Sequence, residues 1–210
     1  MTKTPSPSRA RLVLATLNPA KVQELKTLLG DVPFEVLPLS AFPEARLPAE
    51  GDSSYADNAL TKARAAAALG GTLALADDSG LEVDALGGRP GVSSARYGGP
   101  MATDTDRCAL LLEALRDVPA SQRSARLRCV IALADPAGQE RVVEGVVEGS
   151  IASSPRGRGG FGYDPVFIYS PLDQTFGELA AEVKNRVSHR ARAALLTRQL
   201  LSDWPWPPRT

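Results

Sequence analysis

The sequence predicts an α/β fold, and three observations carry that prediction. Residues 11–29 read as a strand, a tight turn and a helix. Residues 55–76 read as a helix followed by another short apolar strand. Residues 123–151 hold two long alternating strands around a turn, the pattern of an antiparallel hairpin. Strands interleaved with amphipathic helices, rather than either element alone, define the α/β class.

Taken in order, residues 1–10 (MTKTPSPSRA) read as a disordered tail with no apolar core of a signal peptide. Residues 11–15 (RLVLA) form the first strand. Asn18 is a good N-cap and Pro19 suits the first helical position. Val22, Leu25, Leu28 and Leu29 then share one helical face, and Gly30 can end the helix. The start of this helix offers free backbone N–H groups with Lys21 in the first turn, a geometry suited to phosphate, although the glycine-rich stretch of a Walker loop is missing. Residues 32–39 predict a second strand interrupted by prolines. The turn at 48–52 carries Glu50 and Asp52. Ser54 to Asp57 resembles a capping box with Asp in place of Glu, and opens an Ala-rich helix to about Leu69. Asn58 and Lys62 lie four apart on one side of it.

Residues 72–99 (TLALADDSGLEVDALGGRPGVSSARYGG) organise the rest of the chain. A short strand, 73–76, is expected to break at a turn formed by Asp77, Asp78, Ser79 and Gly80. Alternation puts Leu73, Leu75 and Asp77 on one face and Ala74, Ala76 and Asp78 on the other, so one carboxylate faces any given cleft. The small residues behind Asp78 leave room for a ligand. Beyond it, residues 103–115 predict a helix, 123–134 and 140–151 the hairpin strands, and Asp135 to Gly138 a type I turn between them. Residues 153–165 (SSPRGRGGFGYDP) form a second glycine-rich segment whose backbone can approach a flat ligand, with Phe161 or Tyr163 stacking on it. A strand at 166–169 and a short helix at 178–184 follow. Ser188 caps the last helix, whose first turn directs donors of His189 and Arg190 outward. Residues 204–210 read as a Pro-rich tail.

The composition sets limits on function. Lys plus Arg equals Asp plus Glu at 24 each, which argues against a nucleic-acid-coating or membrane-surface protein. No apolar run has the length of a membrane span. Cys108 and Cys129 have no metal-ligand spacing and read as reduced, structural thiols of a cytoplasmic protein.

Five ordered segments resemble one family, the inosine/xanthosine triphosphate pyrophosphatases that remove non-standard purine nucleotides. They are ATLNPAKVQEL (15–25), EGDSSYADNALTKA (50–63), LADDSGLEVDALGGRPGVSSARYGG (75–99), GGFGYDPVF (159–167) and ELAAEVKNRVSHRARA (178–193). The resemblance covers residues 11–201. It implies an elongated, twisted mixed sheet with flanking helices and two lobes around a central nucleotide cleft, here a single domain over 11–203. It also implies a homodimer, a Mg²⁺ requirement, and cleavage of ITP, dITP or XTP to the monophosphate and pyrophosphate. By position, Thr16, Leu17, Asn18, Pro19, Ala20 and Lys21 would hold the triphosphate, with Lys62 adding a phosphate contact. Glu50 and Asp78 would serve the metal, with Asp78 also the general base. Ser79, Phe161, Gly162, Tyr163, Asp164, Lys184, His189 and Arg190 would contact the nucleotide. Leu17 stands where the family often has Gly, and a side chain there is expected to crowd the phosphate or shift that loop. Asp57 stands where Glu is common.

The bottom-up reading agrees: a triphosphate needs lysines, a helix start and hard oxygen ligands for a divalent ion, and no covalent nucleophile is apparent. Two alternatives are a Maf-like pyrophosphatase acting on other modified nucleotides, and a nucleotide-binding regulator without catalysis. The 159–167 and 184–190 segments argue against the first. Glu50, Asp78 and Lys21 argue against the second.

Overall fold

The computed structural model describes residues 9–204. The remaining parts of the two expected tails, 1–8 and 205–210, lie outside the described residues. Seven strands form one mixed sheet: β1 (Ala10–Leu14), β2 (Phe34–Pro38), β3 (Leu73–Val83), β4 (Ser124–Ala134), β5 (Glu140–Ile151), β6 (Phe167–Tyr169) and β7 (Gln174–Thr175), in the order β2-β1-β3-β4-β5-β6-β7. β1 runs parallel to β2 and β3, and every later pairing is antiparallel. The helices are α1 (Pro19–Leu29), α2 (Tyr55–Gly70), α3 (Asp104–Ala114), α4 (Ala181–Val187) and α5 (His189–Ser202).

The helix boundaries follow the capping chemistry of the sequence. Asn18 caps α1 through its side chain, and Ser54 caps α2 by accepting from the Asp57 amide. The α2 box is half formed: the Asp57 carboxylate accepts from the Ser54 hydroxyl rather than from its amide. Thr103 and Asp106 make a full capping box for α3. The Asp135 to Gly138 turn closes with a 3.1 Å hydrogen bond from the Gly138 amide to the Asp135 carbonyl. The short helix expected at 178–184 forms instead as α4, three residues later, where the backbone leaves the Thr175–Glu178 turn.

Alternation on β3 and β4 sorts the core. Leu73, Leu75, Cys129, Ile131 and Leu133 pack under α1 and α5, together with Leu25, Leu29 and Ala194. Ala74, Ala76, Val130, Ala132 and Ala134 pack on the other face, under the Ala59, Ala63 and Ala67 stripe of α2. Each fully buried Leu contributes about 1.5–3 kcal/mol, so the first face carries more of the stability per residue. A third core, built from Leu81, Val83, Leu111, Leu127, Phe167 and Phe176, fills the far lobe. Trp204, assigned by sequence to the C-terminal tail, is 8% exposed and packs with the first core. Cys108 and Cys129 are free and buried, and burial pushes both thiols up to about 11.

One expectation fails here. The chain does not turn at Asp77, Asp78, Ser79 and Gly80, because β3 continues through them to Val83. The cause is β4, which pairs with β3 in unbroken antiparallel register from Ala74 opposite Ala134 to Val83 opposite Ala125. A turn signal with acidic residues yields to a full ladder of backbone hydrogen bonds. Gly80 is required for a different reason: a Cβ there would lie 2.3 Å from the Gly91 carbonyl oxygen and 2.6 Å from the Tyr55 hydroxyl. Its bareness lets the 3-10 segment Gly91–Arg96 lie directly on the strand.

Candidate active site

β1 ends at Leu14 while β3 runs on, so beyond Leu75 one edge of β3 is uncovered. Ligands of open α/β sheets bind outside such strand ends. A cleft of about 800 Å³, measured to its open mouth, occupies this place. Asn18, Lys21, Glu50, Asp78, Ser79, Phe161, Gly162, Tyr163, Asp164, Lys184, His189 and Arg190 all line it, which gathers twelve of the sequence-predicted residues around one cavity.

On the α2 face, Asp78 is 4% exposed. Its Oδ2 accepts from Asn58 Nδ2 at 3.0 Å, and its Oδ1 lies 3.4 Å from Lys62 Nζ. The i,i+4 spacing of Asn58 and Lys62 on α2 brings both to this carboxylate. Asn58 also grips both backbone groups of Gly51, which turns Glu50 toward the cleft. Lys62 Nζ completes the arrangement with Glu50 Oε1 at 2.7 Å and the Asp77 carbonyl at 2.8 Å. Burial raises the Asp78 carboxyl above its ordinary value against the pull of Lys62. Burial acts to raise Glu50 too, but the Lys62 hydrogen bond and charge hold it below the usual carboxylate range. Two hard carboxylates with lone pairs turned to a cleft fit a divalent ion that arrives with substrate phosphates and keeps several waters. Among the described residues, no group of three or more acidic, His or Cys side chains forms a complete cage.

On the opposite face, Asp77 is fully buried beneath α1 and α5. Its Oδ2 receives Lys21 Nζ at 2.9 Å, Arg190 Nη2 at 3.2 Å and the Ser79 hydroxyl at 2.9 Å. Burial acts to raise this carboxyl, but Lys21, Arg190 and Lys62 together drive it far below the carboxylate range. Glu24 joins the network by accepting from Lys184 Nζ and Arg190 Nη1, each at 2.7 Å. Lys184 also bonds Asp164, and the Asp164 carboxylate accepts the Phe161 amide at 2.8 Å.

Several expectations change in detail. The N–H groups of Ala20 and Lys21 are not free, because Asn18 Oδ1 accepts both. Thr16 Oγ1 accepts the Asn18 amide at 3.2 Å, which braces that turn. Leu17 is 65% exposed and does not line the cleft, so its side chain does not crowd the pocket. Pro19 and Ala20 form the first turn of α1 and also lie outside the lining. His189 and Arg190 do not point outward; both are buried against the sheet because α5 packs its first turn on β4 and β5. Four hydrogen bonds engage the Arg190 guanidinium, to Asp77 twice, Glu24 and Ser79, leaving one of its five N–H groups. Lys184 likewise keeps one of three donors. Burial, then the neighbouring Arg190 and Lys184, hold His189 well below its usual pKa and therefore neutral. Its Nδ1 has no hydrogen-bond partner among the described residues.

Of the two stacking candidates, Phe161 is the one available. Lys184 Nζ lies 4.9 Å and the Arg190 guanidinium carbon 5.4 Å from its ring centroid. Tyr163 is buried and donates to the Ser94 carbonyl at 2.9 Å, a structural tie. Sequence reasoning missed Glu24, Asp104 and Arg107. The signal for Glu24 was its position three residues after Lys21 on one helical face.

The family model described as "Ham1 family" matches residues 12–200. A dITP/XTP pyrophosphatase of Desulforamulus reducens is 49% identical over 192 residues, covering 91% of this chain and 96% of that protein. One from Thermus thermophilus is 48% identical over 199 residues, covering 95% of each. Among solved structures, a HAM1 protein from Coxiella burnetii superposes with a TM-score of 0.81 at 41% identity, covering 92% of this chain and 99% of that one. A nucleoside-triphosphatase (dITP/XTP pyrophosphatase) from Mycobacterium abscessus gives 0.72 at 42% identity, covering 93% and 100%. With matched segments running through both walls of the cleft, the chain belongs to the Ham1 family.

Proposed function

We propose that the protein is a nucleoside triphosphate pyrophosphatase that hydrolyses non-standard purine nucleotides (ITP, dITP and XTP) to the monophosphate and pyrophosphate. The observation that carries this reading is one cleft lined both by the pair Glu50 and Asp78, which Lys62 bridges, and by Phe161, Lys184, His189 and Arg190; we read these two groups as its two ends. The first end suits phosphates and a divalent cation, for which Mg²⁺ is our choice. The second suits a purine. Family membership and the names of the relatives support the same activity.

Glu50 and Asp78 would hold the cation, which would supply neutralisation of the substrate's phosphate charge. Lys21, which lines the cleft, binds phosphate oxygens, whereas Lys62 lies outside the lining with its three donors taken by Glu50, Asp77 and Asp78 and holds those carboxylates in place. Asp78 takes a proton from the attacking water. Asn58 fixes the orientation of that carboxylate. Phosphorus gains one oxygen from water as the bond to the pyrophosphate oxygen breaks, and the proton leaves through Asp78. At the base end, the remaining donors of Lys184 and Arg190 pair with the C6 carbonyl of hypoxanthine or xanthine. The amino group of adenine meets them as donor against donor.

The protein acts, on this reading, as one two-lobed domain that extends from Ala10 of β1 to the buried Trp204, as a homodimer and in the cytoplasm. No helix among the described residues is long and apolar enough to cross a membrane. The test is pyrophosphate release across ITP, dITP, XTP, ATP and GTP, with Mg²⁺ and with EDTA. Hydrolysis of the first three, lost in EDTA and restored by Mg²⁺, is expected. Equal rates on ATP would refute the base assignment, and full activity in EDTA the metal assignment.

A further inference from the structure

We propose that Asp104 and Arg107, in the first turn of α3, are positioning residues that set the base platform, an inference that rests on the nucleotide reading above. Neither belongs to the segments that suggested the function, yet both line the cleft. The two oxygens of Asp104 are divided between two tasks. Oδ2 accepts the Gly162 amide at 2.7 Å, and Oδ1 accepts from Arg107 Nη2 at 2.7 Å. Arg107 Nη1 then donates to the Ala95 carbonyl at 3.1 Å and the Ala102 carbonyl at 2.7 Å. One turn of helix thus joins two walls of the cleft, the 159–164 loop and the 91–102 segment.

The arrangement is not explained by capping. Thr103 and Asp106 already satisfy the start of α3, so the Asp104 side chain is free to bond a distant loop. Its target is the peptide that follows Phe161. The Phe161 amide is held from one side by Asp164, itself tied to Lys184, and the Gly162 amide from the other side by Asp104. The Cys108 thiol donates to the Gly162 carbonyl at 3.4 Å, so α3 engages both backbone groups of this residue. Gly162 has φ +62°, a left-handed conformation in which successive amides splay toward different partners. Fixing both amides fixes the direction of the Phe161 Cα–Cβ bond, and with it the ring beneath Lys184 and Arg190. None of the hydrogen bonds of Asp104 and Arg107 reaches Lys21, Glu50 or Asp78, so the pair acts on one end of the substrate only.

Steady-state kinetics on purified full-length protein with Mg²⁺ tests this. Asp104→Ala is expected to raise KM for ITP about tenfold, the scale of losing a charge-assisted hydrogen bond at a half-exposed site, with kcat within about twofold. Inhibition by inorganic pyrophosphate, which occupies only the phosphate end, should be unchanged. Asp104→Asn keeps an acceptor for the Gly162 amide and should restore most of the KM, whereas Arg107→Met should show an intermediate rise. A loss confined to kcat, an equal weakening of pyrophosphate inhibition, or no rescue by Asp104→Asn overturns the proposal. Wild-type pyrophosphate release from ITP, measured alongside, reports on the underlying activity separately: its absence would refute the function, whereas its presence with an unaltered Asp104→Ala KM refutes only the positioning role.

Discussion

Asp77 and Asp78 are neighbours in sequence and opposites in environment. Asp77 is surrounded by Lys21, Arg190 and Ser79 with no opening to the cleft, and its charge is locked in place. Asp78 faces the cleft with one lysine and one amide for company, and burial makes its charge expensive. The same residue type therefore acts as a counter-ion on one face of β3 and, in the proposed mechanism, as a base on the other. What separates them is strand alternation, which delivers Asp77 to α1 and α5 and Asp78 to α2.

The comparison breaks most sharply at Asp78. Asp78→Asn is expected to lower kcat about 10²–10⁴-fold, the usual cost of losing a general base, with nucleotide binding largely kept. A variant within about threefold of wild type, far short of that range, would assign the base elsewhere. Asp77→Asn comes second and acts on stability. Removing one partner of a buried ion network leaves cations uncompensated, and a loss of about 3 kcal/mol in chemical denaturation is expected. Arg190→Ala should resemble it, because Arg190 spends most of its donors on Asp77 and Glu24.

Base selection sharpens the contrast on a smaller scale. Lys184→Met is expected to lower kcat/KM for ITP by about 10–100-fold while ATP changes little, narrowing the ratio between them. Equal losses on both nucleotides would give Lys184 a structural role instead. The smallest effect is on pH-dependent stability in metal-free buffer. Asp77 has a lowered pKa when folded, so its stabilisation is present above the unfolded value of about 3.9 and is lost as pH falls toward the folded one. Asp78 has a raised pKa when folded, so its ionisation costs stability at neutral pH and that cost is relieved as pH falls. Thermal melts should therefore show Asp77→Asn flattening the acid limb of the curve, and Asp78→Asn melting at or above wild type near pH 7.

Much of this was legible because the deciding interactions are local. Asn18 before Pro19, Thr103 with Asp106 and the Asp135 to Gly138 turn each specify an element within a few residues, and each formed. The faces of Asp77 and Asp78 were also readable, since alternation needs only that the chain stay extended. The run of β3 through Gly80 was not readable, because the ladder that overrides the turn signal comes from residues 125–134, fifty positions away. The burial of Arg190 was hidden for the same reason: its partners Glu24 and Asp77 lie 166 and 113 residues distant in sequence. Asp104 and Arg107 carried an i,i+3 ion-pair signal, but nothing local marked Gly162 as the target.

The length of β3 is as constrained as its composition. A single residue inserted between Thr72 and Asp77 would exchange the two faces, carrying Asp78 under α5 and Asp77 toward Glu50, while leaving every residue type in place. Both acids would survive and neither would work. Substitution of Leu73 or Leu75 by another aliphatic leaves that partition intact. Changes in chain length are tolerable only where the strand has not begun or has already ended, at the Gly70 and Gly71 turn or beyond Val83. Insertions and deletions, more than substitutions, are the changes this enzyme has least room to accept.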